Sequence, residues 1–178
     1  MAIYTKRGDK GKTSLYDKAN RQDVRVDKDS TRVKAIGAID ELNSFLGICL
    51  SFNGYKSLKD IQKDLFTIGS ILAGAKLRFS KTKTIKLERE IDKLEGRLPV
   101  LKNFILPGGS PLSSHLQYAR ALARRTERRV VVLSKEDKTK PQILSYLNRL
   151  SDFLFMLARK SNFDWGIKEE AWIGKRKW

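Results

Sequence analysis

The sequence predicts an all-α protein, an antiparallel five-helix bundle preceded by an N-terminal loop segment. Apolar residues recur at three- and four-residue intervals from residue 30 to residue 162, which is the spacing of amphipathic helices. Proline and glycine residues divide this stretch into five segments joined by short loops. Because each amphipathic face must be buried on a neighbour, an antiparallel bundle is the economical arrangement.

Residues 1–29 are predicted to form a loop region, since they are rich in Gly, Asp, Lys and Arg and have room for only one short strand. This region is a candidate for ligand contact. The first helix is predicted over residues 30–52, with Ser30 or Asp29 as its N-cap. Its apolar positions are Val33, Ile36, Ile39, Leu42, Phe45, Leu46 and Leu50.

Four further helices are predicted, each bounded by glycine or proline. They cover residues 58–72, 85–98, 111–133 and 142–162. Ser110 is expected to cap the fourth of the five helices, which begins at Pro111. The boundaries are marked by Asn53 with Gly54, Gly74, Pro99, Pro107 with Gly108 and Gly109, and Pro141. Residues 163–178 are predicted to be a basic tail.

The chain length of 178 residues favours one domain over residues 1–178. Neither a signal sequence nor an apolar run of about 20 residues is present, so we expect neither secretion nor membrane insertion. The single cysteine, Cys49, and the single histidine, His115, cannot build an intrachain disulfide or a cysteine-histidine zinc site. We expect both to have packing roles, no protein metal site, and a cytoplasmic location.

The formal net charge of +17 makes a nucleic-acid partner one hypothesis, because neutralising phosphates drives such binding. The lysines are spread over helices and loops with few interleaved aromatic residues, and no RNA-binding signature is present. A basic surface equally suits small polyanionic substrates. We therefore expect solvated faces to carry most of the charge, with nucleic acid as the weaker alternative.

Residues 5–14 (TKRGDKGKTS) combine glycines, hydroxyl residues and lysines. The glycines do not have the spacing of a Walker A sequence, and no strand-to-helix unit surrounds them. Backbone N–H groups and cations in such a run can still wrap a polyphosphate. The alternative is a solvent-exposed turn.

The fourth predicted helix carries a stripe of charged side chains. Steps of three and four residues connect Arg120, Arg124, Glu127 and Arg128, while Arg125 and Arg129 lie on roughly the opposite side. One interpretation is a solvated face tied by intrahelical Glu–Arg pairs. The other is a set of arginines that clamps phosphates bidentately.

Polar residues also lie beside the apolar stripes of the fifth and first helices, where they indicate either interhelical hydrogen bonds or ligand contact. They are Asn148, Ser151 and Asp152 in the fifth helix, and Asp40, Glu41 and Asn43 in the first.

These signals occur together in the order of one family. The shared segments are residues 3–13 (IYTKRGDKGKT), 37–43 (GAIDELN), 104–109 (FILPGG), 119–120 (AR) with 124–128 (RRTER), and 147–152 (LNRLSD). Over nearly its whole length the chain resembles the PduO-type ATP:cob(I)alamin adenosyltransferases. Two departures are Thr126, where relatives usually have alanine, and Gln117, where they commonly have histidine.

The resemblance implies a homotrimer of five-helix bundles with ATP bound between neighbouring subunits. By matching positions, the N-terminal loop of one subunit would bind ATP through Thr5, Lys6, Arg7, Gly8, Thr13, Ser14 and Lys28. The helices of the next would bind it through Arg120, Arg124, Arg125, Glu127, Arg128 and Asn148. Among these, Arg124 and Arg128 would act in catalysis together with Asp40 and Phe104. Asp40 is expected to pair with Arg124 of the next subunit.

The chemistry that the resemblance implies is transfer of the adenosyl group of ATP to the Co(I) of a reduced corrinoid, with release of triphosphate. Co(I) is itself a strong nucleophile, so the protein would supply alignment and cations, with Mg²⁺ on the triphosphate. Phe104 would flank the lower face of the corrin ring. A reductase and an enzyme that uses adenosylcobalamin are the implied partners. The alternative from another class is a basic helical nucleic-acid-binding or corrinoid-carrier protein without turnover.

Overall fold

The protein is mostly helical, with a small β-hairpin ahead of the helices. The computed structural model describes residues 3–17, 21–52, 55–137 and 139–173. Within them the chain forms strands β1 (Lys12–Asp17) and β2 (Gln22–Asp27) and helices α1 (Thr31–Ser51), α2 (Ser57–Leu72), α3 (Thr82–Glu95), α4 (Pro111–Glu136) and α5 (Pro141–Asp164). The five predicted helices are confirmed, but α3 begins and ends three residues earlier than the predicted range 85–98. The predicted helix end at Asn53 and Gly54 and the last part of the basic tail, residues 174–178, lie outside the described residues.

The N-terminal region is a hairpin, so the prediction of a loop with room for one short strand was wrong. β1 and β2 pair in antiparallel register, with Thr13 opposite Val26 and Leu15 opposite Val24. These four side chains are half-buried, and cross-strand pairs that contain β-branched residues stabilise a hairpin. Each strand has only six residues, so the alternation of exposed and half-buried positions is too short to predict a strand with certainty from the sequence.

The hairpin docks on the end of α2 through a close backbone approach. The N–H of Tyr16 donates to the Ala73 carbonyl at 3.2 Å. Gly74, with φ of 114°, completes the contact, because a Cβ there would lie 2.1 Å from the Tyr16 carbonyl oxygen. Only glycine allows this approach.

The serine N-caps of α1 and α4 are confirmed. Ser30 Oγ accepts from the N–H of Val33, and Ser110 Oγ accepts from the N–H of Ser113 at 3.1 Å. Pro111 occupies the first turn of α4, where its missing N–H costs no hydrogen bond.

One apolar core joins the helices. α4 packs against both α1 and α5, α2 packs on α1, and α3 packs on α5. Fully buried side chains at the centre include Leu42, Leu46, Leu116, Tyr146 and Leu150. No described helix is long and apolar enough to span a membrane.

Cys49 and His115 have the packing roles that the sequence predicts. Cys49 is fully buried, and burial raises the pKa of its thiol to about 11, so the thiol stays protonated at neutral pH. The His115 ring lies 4.7 Å from the Phe52 ring, and its Nδ1 is 2.6 Å from the Pro111 carbonyl oxygen.

Candidate functional site

The N-terminal loop folds into a compact turn against the open end of the hairpin. The N–H of Gly11 donates to the Gly8 carbonyl at 3.2 Å, and the N–H of Lys28 donates to the Gly11 carbonyl at 2.9 Å. Lys6 has a φ of 55°, a left-handed conformation that costs free energy in a residue with a side chain. Such backbone strain persists where the surroundings impose it, and it concentrates at binding loops.

Arg25 on β2 fixes this loop, and the sequence analysis did not single it out. Its guanidinium donates to the Arg7 carbonyl at 2.5 Å, to the Lys12 carbonyl at 3.0 Å and to Ser14 Oγ at 3.2 Å. Recognising the hairpin would have indicated this role, because alternation along β2 places Arg25 on the face opposite the two half-buried valines.

The structure brings several of the predicted loop residues together. A Cβ on Gly8 would lie 3.2 Å from Lys28 Nζ, so this ammonium group rests against the loop backbone. Thr5, Lys6 and Arg7 are exposed beside it. Thr13 and Ser14 follow on β1, with Thr13 half-buried and Ser14 exposed. The result is an exposed cationic turn next to β1.

The arginine stripe on α4 has no carboxylate to neutralise it within the described residues. Arg124 and Arg128 are exposed, and Arg120 is half-buried with its Nε donating to Gln117 Oε1 at 2.9 Å. Burial and the adjacent Arg124 charge lower the pKa of Arg120. Neighbouring guanidinium groups that repel one another favour an anion supplied from outside this chain.

Glu127 does not pair with these arginines, which removes the interpretation of an intrahelical Glu–Arg network. Its Oε1 accepts from Asn148 Nδ2 at 2.9 Å and so connects α4 to α5. Glu127 and Asn148 line a groove of about 450 Å³, together with Thr84, Ser145 and Arg149.

Arg125 lies on another side of α4, in contact with α1. It forms an ion pair with Glu41, and the next residue, Thr126, donates from Oγ1 to the Ala38 carbonyl at 2.9 Å. A buried hydroxyl thus bonds to α1 where relatives usually have alanine. Asp40 lies one residue before Glu41 and is exposed, with no ion-pair partner among the described residues.

Phe104 is 80% exposed, so it does not plug the end of the helices. Its loop is held from two directions. The Phe104 carbonyl accepts from the N–H of Trp172 at 2.7 Å. Asn162 of α5 accepts from the N–H of Ser110 at 2.9 Å and donates to the Gly108 carbonyl at 3.1 Å. An exposed aromatic on a fixed backbone is suited to contact a ligand.

The family profile described as cobalamin adenosyltransferase matches residues 3–161. The chain belongs to this family. It is 44% identical over 179 residues to the corrinoid adenosyltransferase of Bacillus subtilis, a match that covers 94% of this chain and 90% of the relative. It is 41% identical over 175 residues to the corrinoid adenosyltransferase PduO of Citrobacter freundii, covering 92% of this chain but 51% of that protein.

A solved structure of the same family has the same fold. It is a phenylalanine-to-alanine variant of the PduO-type ATP:corrinoid adenosyltransferase from Lactobacillus reuteri, complexed with cobalamin and ATP. The TM-score is 0.90 at 35% sequence identity, and the match covers 97% of this chain and 100% of that chain.

In this cobalamin adenosyltransferase the predicted site residues fall into three separate groups. The hairpin group contains Thr5, Lys6, Arg7, Gly8, Thr13, Ser14 and Lys28. The α4 group contains Arg120, Arg124 and Arg128, with Glu127 and Asn148 beside it and Arg125 turned toward α1. Phe104 stands in the loop that precedes α4. Among the described residues, no hydrogen bond or ion pair joins the hairpin group to either of the others.

Gly109 is essential to the loop that carries Phe104, and we expect Gly109→Ala to destabilise the adenosyltransferase by about 2 kcal/mol or more. Its φ is 104°, and a Cβ would lie 2.2 Å from Asn162 Oδ1. The matched control is Gly108→Ala, since a Cβ there meets nothing within 4 Å. Thermal unfolding measures both variants. Equal melting temperatures for the two would contradict the Asn162 contact.

Proposed function

We propose that this adenosyltransferase moves the 5′-deoxyadenosyl group of ATP to the cobalt of cob(I)alamin or a related corrinoid, forming adenosylcobalamin and triphosphate. One observation carries this conclusion: the arginine stripe of α4 lacks an anion of its own among the described residues, as a triphosphate site requires. Membership of the cobalamin adenosyltransferase family and a relative complexed with cobalamin and ATP support the same reaction.

The reaction is a displacement at the 5′ carbon of ATP. The electron pair of Co(I) forms the cobalt–carbon bond, and the bond between C5′ and the triphosphate oxygen breaks. That oxygen leaves with the bonding pair, so negative charge develops on the triphosphate. Arginine and lysine donors aimed at this charge lower the barrier without a protein nucleophile.

The residue roles follow from the groups described above. The hairpin group of one subunit binds the polyphosphate of ATP, helped by Mg²⁺ bound to the phosphates. Arg120, Arg124 and Arg128 of the neighbouring subunit approach the same phosphates. Arg125 of that subunit also contacts ATP. Glu127 and Asn148 bind the nucleoside part of ATP, because these two hydrogen-bonded side chains line a groove next to the arginine stripe. Phe104 covers the lower face of the cobalt.

A binding site shared between subunits is supported by the positions of the groups. α4 has 26 residues and is about 39 Å long. The Phe104 loop precedes its first residue, whereas its last residue, Glu136, accepts from Thr31 Oγ1 next to the hairpin at 3.0 Å. Within one chain, the hairpin and Phe104 therefore lie near opposite ends of α4. Because C5′ of ATP must meet the cobalt, the hairpin and the Phe104 that serve one reaction come from different copies. A homotrimer meets this requirement.

The antiparallel bundle is part of the same proposal. The first turn of α1 contacts the end of α4 through the Arg32–Asp137 ion pair at 2.6 Å. The start of α4 contacts the end of α5 through Ser110 and Ser161, whose hydroxyl oxygens are 2.8 Å apart. Both contacts support opposite directions for neighbouring helices. Four further predictions stay predictions: one domain with the predicted partition, a cytoplasmic location, a reductase that delivers Co(I), and an enzyme that accepts the product.

Asp40 is expected to pair with Arg124 of the next subunit, because each is exposed and has no ion-pair partner among the described residues of its own chain. Asp40→Asn should weaken ATP affinity or activity about tenfold, since an unpaired arginine remains in the interface. A double-mutant cycle with Arg124→Gln measures the coupling. The control cycle uses Arg120→Gln, and a coupling found only with Arg120 would move the partner of Asp40 by one helical turn.

The proposed reaction is tested by incubating the purified protein with ATP, Mg²⁺ and chemically reduced cobalamin. Adenosylcobalamin is followed by its absorbance, and triphosphate by anion-exchange chromatography. We expect the two products in equal amounts. No product together with tight RNA binding would favour the nucleic-acid-binding alternative instead.

A further inference from the structure

The chain beyond α5 turns back and crosses the loop that carries Phe104. The N–H of Trp172 donates to the Phe104 carbonyl at 2.7 Å, and the N–H of Leu106 donates to the Glu170 carbonyl at 2.8 Å. Residues 105 and 171 form an antiparallel bridge between these two bonds. We call residues 165–172 the C-terminal strap. The strap holds the middle of the loop, at the residue proposed to face the cobalt.

One buried ion pair anchors the strap to α5. Arg159 is 5% exposed, and its Nε donates to both carboxylate oxygens of Glu169, at 3.1 and 3.2 Å. Its Nη2 donates to the Pro99 carbonyl at 2.8 Å. The same guanidinium therefore connects α5 both to the strap and to Pro99 in the loop between α3 and α4.

The strap depends on these polar contacts because little packs beneath it. A cavity of about 490 Å³ separates it from the end of α5 and the start of the loop. The cavity is lined by Leu98, Pro99, Phe163 and Ile167, with Arg159 and Glu169 at its edge. Where a segment spans a cavity, its position is set by its few fixed bonds and not by close packing.

We propose that Arg159 and Glu169 are positioning residues for adenosyl transfer, which act through the strap to fix the Phe104 ring at the lower face of the corrinoid. This rests on the proposed function of the protein. The Arg159 guanidinium fixes the position of the strap on α5. The strap in turn fixes the position of the Phe104 backbone through the bond to its carbonyl, and the backbone position determines where the ring lies. The charged groups of the pair do not touch either substrate.

Glu169→Gln tests the anchor, because glutamine keeps the shape and one acceptor while removing the charge that holds Arg159. The variant is mixed with cob(II)alamin, ATP and Mg²⁺, and electron paramagnetic resonance measures the fraction of four-coordinate Co(II). We expect that fraction to fall severalfold and turnover from Co(II) to fall about tenfold, since small displacements from an aligned geometry are costly. The KM for ATP should stay within about twofold, because the anchor lies outside the phosphate groups.

Trp172→Pro tests the strap separately from the buried pair, so that a loss of stability at Arg159 cannot decide the result. Proline removes the N–H that donates to the Phe104 carbonyl, and residue 171 before it is already extended, as proline prefers. Trp172→Ala is the matched control, because it removes the indole and keeps the N–H. We expect Trp172→Pro to lower the four-coordinate fraction further than Trp172→Ala does.

Asp164→Asn serves as the control for charge removal at this end of α5. Asp164 is the last residue of α5, and its carboxylate pairs with Lys160 and accepts from Tyr55 of the segment before α2, so it contributes no bond to the strap among the described residues. The fraction of four-coordinate Co(II) in the Asp164→Asn variant should equal that in the wild type. Circular dichroism and melting temperature establish that each variant is folded.

Phe104→Ala separates failure of this inference from failure of the proposed function. If Phe104→Ala loses the four-coordinate signal while folded Glu169→Gln and Trp172→Pro keep it, the strap does not position Phe104. If Phe104→Ala itself keeps the signal, the role of Phe104 fails and the positioning role fails with it. Wild-type production of adenosylcobalamin is measured independently of both.

Discussion

Replacing Arg128 or Lys6 by alanine should lower kcat/KM for ATP by about one to two powers of ten, because each loses a charge-assisted contact worth roughly 1.5–3 kcal/mol. Arg128 belongs to the α4 stripe that has no neutralising carboxylate in the described residues, and Lys6 stands on the strained turn of the N-terminal loop. Steady-state kinetics with prereduced cobalamin measures the effect at saturating corrinoid.

Arg129→Ala is the matched control for these two variants. Arg129 neighbours Arg128 in sequence and is also exposed, but it lies on the side of α4 that faces Lys34 and Glu41 of α1, away from the stripe of Arg120, Arg124 and Arg128. Its removal changes the net charge by the same amount as the other two substitutions. Equal losses in all three variants would mean that the overall positive field, and not a defined phosphate site, attracts ATP.

The second large effect is expected for Phe104→Ala, which should lower adenosylation that starts from Co(II) by about two powers of ten. An aromatic ring at the lower face keeps a donor ligand away from the cobalt. Without that donor the more oxidised metal loses stabilisation, so reduction to Co(I) becomes easier. In a one-electron couple, a shift of about 120 mV changes the equilibrium constant by two powers of ten, and axial ligands can shift metal potentials by more than this.

Four measurements separate this role from a structural one. Phe104→Ala should leave the melting temperature and the KM for ATP nearly unchanged, because the Phe104 side chain is exposed. Turnover from chemically prereduced Co(I) should suffer less than turnover from Co(II). An unchanged four-coordinate Co(II) signal in the variant would sink the assignment.

Much of the fold could be predicted from the amino-acid sequence, because amphipathic helices are specified by local spacing. Residues three and four apart share a helix face whatever the tertiary context, so leucine and isoleucine positions along α1 to α5 were sufficient. The caps at Ser30 and Ser110 are equally local, because the serine side chain bonds within its own first turn. The family was also specified by the sequence, through motifs at compatible spacing.

The hairpin could not be predicted in the same way. Its strands contain six residues each, and their pairing depends on partners about ten residues apart and on the docking of Gly74 beneath Tyr16. Cross-strand contacts and burial on another element decide strand formation more than intrinsic preference does. Arg25 consequently looked like one more surface cation until the hairpin placed it over the loop carbonyls.

What the sequence by itself determined about this protein is its helices, its caps and its cobalamin adenosyltransferase motifs. Only the tertiary structure decided which charges are neutralised. Helical spacing places Glu127 beside the arginines, yet its carboxylate bonds to Asn148 of α5, and Arg125 pairs with Glu41 of α1. Similarly, Phe104 became an exposed side chain on a fixed loop only through Asn162 and the C-terminal strap. The physical reason is that ion pairs and hydrogen bonds depend on distances between segments far apart in the chain, whereas helix formation depends on residues within one or two turns.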